Sequence, residues 1–207
     1  MRYFLELRYL GAAYCGWQRQ PDQPSVQQTL ERALTTLLRE PVEVTGAGRT
    51  DTGVNASYYV AHFDVRQPVA DPAQTLYKLN FLLPDDISVG GLTPVAEGAH
   101  ARFDAREREY TYRIETRKNP FTRLLSWQYY VPLDLERMNR AAAMLTEFRD
   151  FTSFAKLNSN NRTNICRTHN AGSTARTLSL LSLRHHPDRI RTKTIITRPR
   201  PRSTPAH

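Results

Sequence analysis

Nowhere in the 207 residues does an apolar run approach the roughly 18 residues that a membrane-spanning helix needs, and the mean hydropathy is −0.57. Residues 1–10 carry Glu6 and Arg8 where a secretory leader needs an unbroken apolar stretch. Membrane insertion and secretion are therefore not expected. Cysteine is scarce: Cys15 and Cys166 form no C-x-x-C pair, and the six histidines show no metal-ligand spacing. A disulfide scaffold and a zinc site are excluded as expectations, and a reducing cytoplasm is the expected compartment. Acidic residues are also in deficit, 20 against 29 Lys and Arg, for a formal charge of +9. Residues 171–207 hold eight basic residues and one acidic, so +7 of that charge sits there and the body is only mildly basic. A grip on polynucleotide by the body must then come from local patches.

What is present reads as alternating strands and helices. Tyr3, Leu5, Leu7 and Tyr9 alternate with polar residues ahead of Gly11, the pattern of a half-buried strand. Ser25-Val-Gln-Gln28 is a capping-box signature, and the helix it opens spaces Val26, Leu30, Ala33, Leu34, Leu37 and Leu38 one turn apart before Pro41. Residues 42–45 and 58–65 read as strands, the second placing Tyr59, Ala61, Phe63 and Val65 on one face. Asp71-Pro72 is a cap and first-turn proline for a helix to about Leu82, and residues 87–95 form a weaker strand. The order β-α-β-β-α-β predicts an α+β, ferredoxin-like (split βαβ) arrangement for residues 1–98. Strands over 109–115 and 126–131 and a helix over 134–145 begin a second, incomplete α+β half in residues 99–170. Residues 171–207 are rich in Arg, Thr, Ser and Pro and end in alternating Arg and Pro, so a basic, unpacked tail is expected. That segment reads either as an RNA-binding arm or as the product of a truncated or shifted reading frame.

The densest unusual segment is Gly46-Ala-Gly48-Arg-Thr-Asp51-Thr-Gly53-Val-Asn55, with three of the nine glycines in eight positions. Glycines permit close backbone approach, so such a loop can hold a carboxylate against a ligand. It is not a phosphate-binding P-loop, because no G-K-[ST] follows. It is not a dinucleotide fingerprint either, since Asp51 stands where a third glycine belongs. From composition alone, a tight turn with Arg49 and Asp51 in a surface ion pair is an equal reading.

GAGRTDTGVNA closely resembles the GAGRTDxGVHA signature of the tRNA pseudouridine synthase A family, which isomerises uridines 38 to 40 of the tRNA anticodon stem-loop. YCGWQRQP with SVQQTLERAL, LNFLLPDDISV, HARFDAREREYTYRI, NPFTRLLSWQYY and DFTSFAK agree in type and order, from about residue 3 to residue 170. The resemblance implies two α+β halves sharing a mixed sheet around a basic cleft, a homodimer, tRNA as partner, and neither cofactor nor metal. It makes Asp51 the catalytic aspartate, which either adds covalently to the substrate or removes a sugar proton. Both roles need the carboxylate ionised, a state the charge of Arg49 favours, so Arg49 is expected to position Asp51 or a phosphate. Tyr110 matches the tyrosine that lies against the target base; packing on a strand face with Tyr112 is the plainer alternative. Arg102 and Arg106 lie in the matched HARFDAR stretch as RNA contacts, with Arg19, Arg108, Arg117, Lys118 and Arg123 as further candidates, and His100 is a satisfied loop histidine.

Two departures stand out. Asn55 replaces the signature histidine, which predicts a weakened phosphate contact or altered loop geometry. After Asn170 the family continues with an RFLRNMVR-type motif whose arginine pairs with the catalytic aspartate, and residues 171–207 do not match it. The expected function is therefore a tRNA pseudouridine synthase, with a non-catalytic tRNA-binding descendant as the alternative. An independent RRM-type module is disfavoured by the absence of an RNP1-like string.

Overall fold

The computed structural model describes residues 1–105, 107–154, 165, 167–174, 177–183 and 195–196. The first half runs β1 (Arg2–Tyr9), α1 (Val26–Leu38), β2 (Val44–Gly46), β3 (Asn55–Asp64), α2 (Pro72–Leu82) and β4 (Ile87–Val95). β1 lies antiparallel between β3 and β4, and β2 pairs antiparallel with the far side of β3. The resulting order β4-β1-β3-β2 is the split βαβ sheet that the sequence predicts.

The helices start where capping chemistry places them. Ser25 Oγ accepts from Gln28 N at 3.2 Å, and Asp71 Oδ1 accepts from Gln74 N at 2.9 Å ahead of Pro72. α1 ends before the predicted proline, at Arg39, which adopts a left-handed conformation (φ 57°). One side of the sheet buries Tyr3, Leu5, Leu7, Tyr59, Ala61 and Phe63 together with Val26, Leu30 and Leu34 of α1 and Leu79 of α2. Each fully buried leucine contributes about 2 kcal/mol of apolar transfer energy. The outer face of α2 leaves Tyr77 and Phe81 exposed, with their rings edge to face.

The second half supplies β5 (Glu107–Glu115), β6 (Trp127–Gln128), α3 (Leu135–Leu145), β7 (Arg167–Thr174) and β8 (Thr177–Leu183), followed by β9 (Ile195–Ile196). β5 pairs with β8 and β8 with β7, continuing one mixed sheet in the order β4-β1-β3-β9-β5-β8-β7. β6 is shorter than the predicted 126–131 because only Ile114 and Glu115 at the end of β5 pair with it. Residues 171–174, 177–183 and 195–196 fall in the stretch expected to be unpacked, yet they are strands here; the rest of that stretch lies outside the described residues. Four leucines in the seven residues Thr177–Leu183, the short apolar stretch of an otherwise polar segment, are the local reason. β9 sits at the seam between the halves, with Ile195 and Ile196 facing Ala56 and Asn55 on one side and Tyr110 and Thr111 on the other.

A turn from His100 to Asp104 closes the first half: His100 N donates to Asp104 Oδ2 at 2.7 Å and Asp104 N to His100 O at 2.9 Å. The buried His62 accepts from Ala101 N at 3.1 Å, and its ring meets that of His100 edge to face. Burial, then the charges of His100 and Arg2, lower the His62 pKa to about 4. The unfolded chain, with an ordinary value near 6.5, binds the extra proton first. Stability conferred by this group is thus complete above pH 6.5 and lost as pH falls from 6.5 towards 4, by at most about 3 kcal/mol. Urea midpoints are expected to drop between pH 7 and pH 5 in the native chain and to flatten in His62→Gln; equal slopes in the two proteins would refute the assignment.

Candidate active site

The glycine-rich segment connects β2 to β3, and aromatic side chains from the sheet and from the residue 14–17 turn hold it from below. Trp17, Tyr59 and Tyr9 form a packed cluster, Trp17 and Tyr59 lying 4.3 Å apart and Tyr9 and Tyr59 5.7 Å apart between ring centroids. The two tyrosine hydroxyls reach the loop. Tyr9 Oη hydrogen-bonds Thr50 Oγ1 at 3.0 Å, and Tyr59 Oη accepts from Gly48 N at 3.1 Å while donating to Gly48 O. Burial pushes both phenols above their ordinary range, so each remains a neutral donor and acceptor.

The backbone locks the rest. Trp17 N donates to Thr50 O at 3.2 Å, Ala47 N to Val60 O at 2.9 Å, and Val54 N to Asp51 O at 3.2 Å. Gly53, at φ 79°, donates its N–H to Tyr14 O at 3.3 Å. Tyr14 is in turn anchored by its hydroxyl donating to Asp86 Oδ1 at 2.6 Å, which gives the LPDD stretch a structural task. Gly16 has φ 96°, and a Cβ there would stand 2.2 Å from Thr50 O. Gly16→Ala is accordingly expected to cost about 2 kcal/mol and to displace Thr50 and Asp51. A melting temperature equal to that of the native chain would show that the contact does not hold the loop.

Asp51 stands exposed at the apex of this platform. No ion pair joins it to Arg49 among the described residues, which removes the reading of the loop as a surface ion-pair turn and leaves Arg49 available to a ligand. Arg49 instead lines a cleft of about 190 Å³ with Arg102, Gln18, Thr45 and Gly48. Arg102 is delivered there by the His100–Asp104 turn, where its N–H donates to His100 Nδ1 at 3.1 Å. That bond also accounts for His100 as a loop histidine with a partner.

Tyr110 is half-buried on β5 and near enough to Tyr59 to raise the pKa of that phenol. Arg106 lies outside the described residues. Of the remaining cations, Arg19 meets Glu31 at 3.4 Å, and Arg117, Lys118 and Arg123 are exposed on the loop after β5. Arg108, expected as an RNA contact, has a different partner: its Nη2 donates to Ala47 O at 2.7 Å, tying β5 to the loop. Asn55, expected to affect a phosphate contact or the loop, is 3% exposed. Its Oδ1 accepts from Gly11 N at 2.7 Å and its Nδ2 donates to Leu124 O at 3.4 Å. It therefore bears on loop geometry and not on phosphate.

Sequence reading missed the phenol seat and the Arg108 clamp. Tyr9 and Tyr59 were legible as buried strand residues, but nothing local signals hydroxyl partners 41 and 11 residues away. Among the described residues, no group of three or more His, Cys, Asp or Glu is arranged to hold a metal, and no helix is long and apolar enough to cross a membrane. Chemically, the loop offers one exposed carboxylate and the cleft against its first residues two arginines, while neither Asp51 nor Tyr110, which lies on β5, lines that cleft.

A family model described as tRNA pseudouridine synthase matches residues 7–104. The tRNA pseudouridine synthase A of Bacteroides thetaiotaomicron is 53% identical over 170 residues, covering 82% of this chain and 63% of the relative. That of Parabacteroides distasonis is 47% identical over 173 residues, covering 84% and 69%, and that of Porphyromonas gingivalis 51% over 167 residues, covering 80% and 66%. The chain thus spans about two thirds of the length of these curated relatives.

Proposed function

The chain belongs to the tRNA pseudouridine synthase A family, and on that premise we propose that it converts uridine to pseudouridine at positions 38, 39 and 40 of the tRNA anticodon stem-loop. The observation that carries the proposal is Asp51, exposed at the tip of a loop that two neutral phenols and four backbone hydrogen bonds hold in place. The reaction breaks the C1′–N1 bond, turns the uracil, and joins C5 to C1′, so the product is an isomer of the substrate. The Asp51 carboxylate serves it in either of two ways. It bonds to the substrate and is expelled when the new carbon–carbon bond forms, or it takes a proton from the ribose and returns it.

Arg49 and Arg102 meet the RNA backbone, and Arg106 is a further contact of the same kind. Tyr110 faces the target base after that base leaves its stack. No cofactor or metal has a part in this chemistry. A homodimer in the cytoplasm, implied by the resemblance, completes the proposal.

The test is incubation of the purified chain with an unmodified tRNA and mapping of pseudouridine at positions 38 to 40. Product at any of them is the expected result. The second reading, a non-catalytic tRNA-binding descendant, is favoured by the lack of an RFLRNMVR-type match in residues 171–207. It predicts binding of the same tRNA without product. Neither binding nor product would overturn both readings.

A further inference from the structure

We propose that His100 is a positioning residue for RNA binding: its proton-free Nδ1 holds the backbone of the turn that sets Arg102 in the cleft, so a proton gained by His100 withdraws Arg102. The inference rests on the RNA-modifying reading above and adds to it a control exerted by a side chain outside the cleft lining. Three consecutive backbone N–H groups of the turn end on imidazole nitrogen. Arg102 N and Phe103 N donate to His100 Nδ1 at 3.1 and 3.4 Å, and Ala101 N donates to His62 Nδ1 at 3.1 Å. An accepting Nδ1 carries no proton, so both rings are neutral with the proton on Nε2. The two rings meet edge to face at 4.6 Å, and the Phe103 ring lies 4.1 Å from that of His100. Ala101 and Ala105 are buried at the two ends of the turn, with Arg102 and the exposed Phe103 between them.

A proton on His100 Nδ1 turns the acceptor into a donor facing two backbone N–H groups, and both bonds are lost. The charges around the ring come from every segment packed against it. From β1, Arg2 opposes protonation; it is held by Asp64 of β3 at 2.9 and 2.7 Å and donates to Ala99 O at 2.9 Å, and Glu97 acts on it as well. Within the turn, Asp104 favours protonation and Arg102 opposes it. From β3, His62 faces the ring and is neutral. Burial and then Arg2 outweigh Asp104, so the His100 pKa lies below its ordinary value, and this half-buried ring takes a proton before the buried His62. RNA binding should therefore weaken as pH falls below the ordinary histidine range. Added positive charge beside an RNA site, acting alone, strengthens binding as pH falls. The sign of the pH effect separates the two.

The test is the affinity of an unmodified anticodon stem-loop at constant ionic strength, from about pH 7.5 to about pH 5, for the native chain, Arg102→Gln, His100→Asn and His100→Ala. Native affinity is expected to fall about tenfold across this range, the loss of one charged contact. Arg102→Gln should start about tenfold weaker and stay nearly level. Asparagine places an oxygen near the position of Nδ1 and does not titrate, so His100→Asn should bind like the native chain at the upper pH and lose the dependence. His100→Ala should bind weakly throughout. In the native chain, ¹⁵N shifts of labelled histidine should show the Nε2–H form of His100 at the upper pH and a proton gained in step with the loss of affinity. Acid unfolding through His62 would strike His100→Asn equally. A native affinity that holds level or rises, or a fall that persists in His100→Asn or Arg102→Gln, would overturn the positioning role while leaving the isomerase reading intact. A native chain that does not bind the stem-loop at the upper pH would overturn both.

Discussion

Asp51→Asn is expected to lower the rate of pseudouridine formation by about a thousandfold or more, with little change in tRNA affinity or in stability. The asparagine amide has nearly the carboxylate's shape but can neither accept a proton from the ribose nor form the covalent bond to the substrate, so either route stops. The fold has no stake in the carboxylate. Asp51 is exposed, and its recorded bond to Val54 N uses the backbone oxygen, which asparagine keeps. A stability change within about 0.5 kcal/mol is therefore expected. Single-turnover rates at saturating stem-loop RNA separate chemistry from binding. A variant that retains the native rate would remove Asp51 from the mechanism.

Arg108→Ala should be the next most damaging change, for a different reason. The guanidinium holds Ala47 O at 2.7 Å and runs beside Gly48, where a Cβ would lie 3.5 Å from its Nε. It thereby fixes the first turn of the β2–β3 loop against β5, the strand that carries Tyr110. Releasing it lets Asp51 shift relative to Tyr110, and a misplacement of about 1 Å costs about a hundredfold in rate. Because Arg108 acts through the loop, the loss should appear in the single-turnover rate. The salt dependence of tRNA binding should keep its slope, which a lost phosphate contact would reduce by nearly one. Lysine should restore part of the rate. A reduced slope with an unaltered rate would return Arg108 to the RNA contacts and refute the clamp.

Much of the first half was legible because its signals are local. Ser25 and Asp71 sit directly before the helices they cap, and the alternation in β1 names its buried face without reference to any other segment. β3 was predicted from residue 58 and begins at Asn55, because the burial of Asn55 depends on Gly11 and Leu124, residues 44 and 69 positions away. The loop itself was visible through its glycines. What holds it was not: the phenols, the Arg108 clamp and the Tyr14–Asp86 anchor are all contacts between distant segments. The same distinction explains Arg49 and Asp51. Their proximity in sequence suggested an ion pair, whereas the loop turns Arg49 towards Arg102, a residue from another segment. The strand at Thr177–Leu183 was outweighed by the composition around it, since a window rich in Arg, Pro and Thr surrounds an apolar stretch of only seven residues whose alternation breaks at Leu180-Leu181.

The seam between the two halves has a mechanical meaning. Among the described residues, β9 spans it with two residues, and side-chain bonds from Arg108 to Ala47 and from Asn55 to Leu124 also cross it. A broad ladder would fix the angle between the halves in the backbone, where substitutions scarcely reach it. Here a guanidinium and an amide share in setting that angle. The set of one half against the other can thus be retuned one side chain at a time, without rebuilding the sheet on either side.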